Sequence, residues 1–81
     1  MTTRGKVDVL LSMIYGMRLD DTRYDIDGKI IRIRIPSINI QELNKGLSIA
    51  DIDQNYVVID DIKGHLNLII CNYEDTYARA D

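Results

Sequence analysis

Three arginines are the residues of this chain best suited to recognise something. Arg32 and Arg34 alternate with Ile31, Ile33 and Ile35 in IIRIRIP (30–36), and Arg23 sits in the preceding run TRYDI (22–26). Alternation with period two marks a half-buried strand, isoleucines toward a core and arginines away from it. Guanidinium groups that share a face form a forked surface for carboxylate or phosphate. Arg23, Arg32 and Arg34, with Asp25 beside them, are therefore the candidate partner-binding residues. The plain alternative is a solvated face whose charges guard the sheet against edge-to-edge aggregation.

The other reactive residue types do not assemble into a catalytic pattern. His65 is the single histidine and Cys71 the single cysteine, six residues apart on one strand face but far from each other along it. A cysteine–histidine nucleophile needs an activating contact and an oxyanion site, and no motif supplies them. One Cys and one His leave no zinc set. Asp51, Asp53 and Asn55 imitate the start of a calcium loop, but Tyr56 stands where glycine is required and Ile62 where a bidentate glutamate is required. Asp60 and Asp61 are adjacent and so point to opposite faces of a strand, not toward a shared substrate. The five glycines are scattered singly, without a phosphate-binding loop. The expectation is a protein that is not an enzyme, with no cofactor and no metal.

Composition bounds the rest. Eighty-one residues, 46% hydrophobic and 28% charged, make a single domain (1–81) with an ordinary globular balance. There is no Phe or Trp, so branched aliphatics must fill the core, which favours strands. Ten basic against thirteen acidic residues give a net charge of -3, the wrong sign for non-specific attraction to a nucleic-acid backbone. One unpaired cysteine in an apolar run fits a reducing compartment. Lys6, Asp8 and Ser12 interrupt any leader-like apolar run, and no stretch is long enough to span a bilayer, so a cytoplasmic protein is expected.

Around the arginines, the pattern predicts an α+β fold: an N-terminal helix on a four-stranded antiparallel sheet of two hairpins, with a short middle helix or turn. Val7, Leu10, Leu11, Ile14 and Met17 recur at helical spacing over about 3–18, with Thr2 or Thr3 as cap and Gly16 either a left-handed terminator or a residue inside a longer helix. The first hairpin spans 22–35. An Asp27-Gly28 type I′ turn would set Arg23 opposite Arg32 and Tyr24 opposite Ile31, with Asp25 diagonal to Arg32 and Asp21 within reach of Arg34. Pro36 ends the ladder. Residues 38–46 read as a turn or short helix, capped by Asn39 and closed by Gly46. The second hairpin spans 55–73, its Lys63-Gly64 turn pairing Ile59 with Leu68 and Val57 with Ile70. Its other face carries Tyr56, Val58, Ile69 and Cys71, so apolar on both sides that these strands look central or covered twice; those four are a candidate dimer or second-layer face. The polar tail 74–81 is expected to be loose, and no internal repeat shows beyond the two hairpins.

These features point to a small, non-catalytic protein-interaction module that pairs as a homodimer and binds a protein partner. Size and composition suit a phage or mobile-element accessory protein that inhibits a host protein. The alternative is a nucleic-acid-binding regulator using the arginine face, which the acidic balance and the lack of interleaved aromatics weaken.

Overall fold

The computed structural model describes residues 2–71. Thr2 opens the first helix, α1 (Thr3–Tyr15), its hydroxyl accepting from the Gly5 N–H at 3.2 Å. Gly16, at φ +66°, turns the chain left-handed and ends the helix three residues before the expected limit of 18. Leu19, buried in the one-turn 3₁₀ segment Leu19–Asp21, donates its N–H to Asp8 Oδ1 at 2.8 Å and ties that turn to the helix.

The first hairpin pairs β1 (Arg23–Asp27) with β2 (Ile30–Pro36), and its register differs from the expected one. The turn residues are Gly28 and Lys29 rather than Asp27 and Gly28. Positive φ at Gly28 alone (+59°) is the type II′ pattern, in which glycine takes the first central position. Partners shift by two residues, so each side chain keeps its face but changes neighbour. Arg23 now opposes Arg34, Asp25 directly opposes Arg32, and Ile26 meets Ile31 instead of Lys29. The register gains an apolar pair and an ion pair, which is the physical reason to prefer it.

The middle of the chain is a longer helix than expected, α2 (Ile40–Ile49), with Asn39 Oδ1 accepting from the Gln41 N–H at 2.8 Å. Gly46 does not close it. It is buried inside the helix where α2 crosses α1, and a Cβ there would stand 2.6 Å from Ile14 Cδ1 and 2.9 Å from Leu10 Cδ1. Asp51, at φ +61°, makes the turn out of the helix. A second 3₁₀ turn (Gln54–Tyr56), capped by Asp53, leads into β3 (Val57–Ile62) and β4 (His65–Cys71). Lys63 (φ +41°) and Gly64 (φ +83°) are both left-handed, the type I′ pattern, and Val57–Ile70 and Ile59–Leu68 pair as expected. The expected tail, 74–81, lies outside the described residues.

The sheet order is β1-β2-β4-β3, antiparallel throughout. Ile31, Ile33 and Ile35 of β2 and Leu66, Leu68 and Ile70 of β4 are buried against Val7, Leu10 and Leu11 of α1 and Leu43 and Leu47 of α2. The alternate residues of both central strands are exposed or half-buried. Both helices thus cover one face, and the second hairpin is not covered twice: β4 is central, β3 an edge. The helices cover the central strands but not β1, whose helix-side residues Tyr24 and Ile26 remain exposed, with Arg4 Nη2 of α1 3.5 Å from the Tyr24 hydroxyl. Among the described residues no helix is long and apolar enough to cross a membrane.

The topology contains a repeat that the sequence does not display. A shift of 35 residues carries β2 onto β4 (Ile30 to His65, Pro36 to Cys71), the first 3₁₀ turn onto the second (Leu19 to Gln54), and the left-handed Gly16 onto the left-handed Asp51. Ile33 pairs with Leu68, its own counterpart under the shift, so an approximate two-fold axis runs between them, normal to the sheet. Ile14/Ile49, Asp25/Asp60 and Ile35/Ile70 are the identities that survive. Two helix–hairpin halves therefore close one sheet along β2 and β4.

Candidate functional site

The uncovered face of the sheet collects the residues singled out in the sequence. Antiparallel register places side chains in rows across the four strands. One row reads Arg23, Arg34, Asn67, Asp60; the next reads Asp25, Arg32, Ile69, Val58. Below lie Asp27, Ile30 and Cys71, and above lie Pro36, His65 and Ile62. The first two rows, Val58 apart, line a shallow depression of about 350 Å³.

The three arginines are in different electrostatic circumstances. Arg32 Nη1 lies 3.2 Å from Asp25 Oδ2 and 3.7 Å from Asp27 Oδ2, an exposed pairing that typically contributes about 0–1 kcal/mol. Arg23 and Arg34 face each other across the strands, and among the described residues neither has a carboxylate within ion-pair distance. The expected Asp21–Arg34 pair does not form. Asp21 Oδ2 accepts the Arg18 backbone N–H at 2.9 Å instead, capping its own turn. The polar neighbour of Arg34 is His65, its Nη2 standing 3.5 Å from the imidazole Nδ1.

Beside the charges the face is apolar. Ile30, Ile69 and Cys71 are half-buried, while Val58 and Ile62 on the edge strand are 55% and 51% exposed. Val58, Ile69 and Cys71 thus share a face, as expected from the strand pattern. Tyr56 does not join them. It belongs to the 3₁₀ turn before β3, because the strand begins only at Val57, and of those residues only Cys71 lines a cleft with it, alongside Thr3, Lys6 and Asp53.

Two residues of the depression are not among the candidate binding residues: Asp60, which the sequence presents only as one of an adjacent carboxylate pair, and Asn67. The register of the second hairpin already puts them opposite each other. What the pattern lacks is the β2–β4 pairing that sets Asn67 against Arg34, a contact between distant segments with no local signal. His65 and Cys71 stand at opposite ends of β4, roughly 20 Å apart at strand rise, and do not form a joint site. Asp53 Oδ1 accepts the Asn55 N–H at 2.9 Å, and Asp51 Oδ2 lies 3.4 Å from Lys6 Nζ, so the calcium-like segment serves turn and helix contacts. Comparison with protein-family models, with curated proteins and with solved structures gives no match to this chain.

Proposed function

We propose that this chain is a non-catalytic protein-interaction module that binds through the open face of its sheet. The observation that carries this reading is the two-layer build: helices cover one side, and the other presents Val58, Ile62 and Ile69 beside two arginines without carboxylate partners among the described residues. Apolar surface mixed with unsatisfied arginine is the composition of protein-binding patches. Size and composition support a phage or mobile-element accessory protein that acts in the cytoplasm by binding and inhibiting a host protein.

Charge weighs against the nucleic-acid reading. The face sets three arginines against Asp25, Asp27 and Asp60, a formal sum of zero, and no described aromatic residue stands in its rows. The test is capture from the native host with the wild-type chain and two variants. Ile69→Lys, in the middle of the open face, should abolish capture. Ile49→Lys, 62% exposed on the helix side, should leave it unchanged. Capture that ignores Ile69→Lys refutes the open face, and steeply salt-dependent binding to DNA or RNA would replace the reading altogether.

A further inference from the structure

We infer that the open face is built to take a second copy of this chain, face to face, with the dimer axis parallel to the strands; this rests on the reading of that face as a binding surface. The charges in one row carry the argument. Arg23 and Arg34 stand at one end and Asp60 at the other, separated by Asn67. Strands lie about 4.8 Å apart, so Asp60 is roughly 10 Å from Arg34 and 14 Å from Arg23 along the sheet. Neither arginine pairs with it within the chain, and among the described residues none of the three has an ion-pair partner.

A two-fold axis along the strands, lying between two stacked faces, turns the row over onto itself. Arg23 of one copy then lies over Asp60 of the other, with Arg34 over the adjoining Asn67, twice in each dimer as an isologous interface demands. An axis across the strands matches charge less well, because beside an Arg23–Asp25 contact it lays Arg32 over Arg34 of the second copy and leaves Asp60 over Val58. The strand-parallel axis also brings apolar neighbours together, Ile30 over Cys71. It keeps the two sheets nearly aligned, the usual packing for stacked sheets. Four strands of five to seven residues give a footprint of roughly 20 by 23 Å, at the small end of specific interfaces. A foreign partner that uses this face displaces one copy rather than adding to the pair.

The test is a charge exchange read by light scattering at micromolar concentration. The wild-type chain should run at twice its 9.3 kDa mass. Arg23→Glu plus Arg34→Glu in one chain, and Asp60→Arg in another, should each give a monomer, since every cross-interface contact becomes repulsive. Mixed in equal amounts, the two variants should recover the dimer, because each then meets its opposite charge. Recovery also shows that both variants are folded. A monomeric wild type, variants that stay dimeric, or a mixture that stays monomeric each overturns the inference. A failed charge exchange leaves the face itself to be tested separately, by capture with the Ile69→Lys and Ile49→Lys variants.

Discussion

Replacing Gly46 with alanine sets two effects of similar size against each other, and the geometry of the helix crossing decides between them. Alanine inside a helix is favoured over glycine by about 1 kcal/mol. The new methyl, however, would lie 2.6 Å from Ile14 Cδ1 and 2.9 Å from Leu10 Cδ1, where ordinary contact begins near 3.4 Å. Overpacking of this kind costs about 1–3 kcal/mol. Ile14 is only partly buried and its terminal methyl can swing away, whereas Leu10 is fully buried and held. The expected cost of the clash is thus about 2 kcal/mol, for a net destabilisation of about 1 kcal/mol. Ile14→Val deletes the closest atom and alone should cost about 1 kcal/mol. In the double variant the Ile14 contact is relieved while the Leu10 contact at 2.9 Å remains, so the two changes should couple favourably by about 0.5 kcal/mol. Urea titration of the four proteins at one concentration measures this directly. A Gly46→Ala protein stabilised by the full propensity gain, or strict additivity in the cycle, would show that α1 and α2 do not approach as closely as described.

Three further outcomes follow from other parts of the molecule. Lys63 holds a left-handed conformation that asparagine adopts more readily, so Lys63→Asn should raise stability by about 0.5–1 kcal/mol in the same titration, with no gain if the turn is not type I′. Burial pushes the Tyr15 phenol above its ordinary value of 10.0, while its hydroxyl donates to the Pro36 carbonyl at 2.7 Å. Its contribution is complete below the unfolded value and is lost as pH rises through and beyond it. Tyr15→Phe should therefore flatten the fall in stability at alkaline pH, and an unchanged profile would remove Tyr15 as its source. Finally, Arg34→Glu places an acid opposite Arg23, turning a like-charge pair into an attractive one. In the monomeric chain it should stabilise the fold by up to about 1 kcal/mol, read from its urea midpoint. A loss of stability there would mean that Arg34 supports the fold rather than burdening it.

Much of this architecture is written in short-range patterns. The period-two alternation of Ile31, Arg32, Ile33, Arg34 and Ile35 determines which side chains face the core, whatever the turn does, because a shift by two residues preserves the face. Thr2, Gly16 and Asn39 mark helix ends because caps depend on local backbone geometry. Lys63-Gly64 likewise carries the register of its hairpin. Other decisions were not local. Gly46 looks like a helix terminator in one dimension and proves to be the point where two helices touch, a role defined only by Ile14 and Leu10. The first turn takes Gly28 and Lys29 because the register it creates aligns Ile26 with Ile31 and Asp25 with Arg32 across the strands.

By itself, then, the sequence determined the helix and strand types, the faces, and the three arginines that stand outside the core. Only the tertiary structure joined β2 to β4, and that one pairing made the four-residue row that runs from Arg23 to Asp60. The physical reason is that strands far apart in the chain are matched by the burial of their shared face against α1 and α2, a collective term with no imprint at any single position.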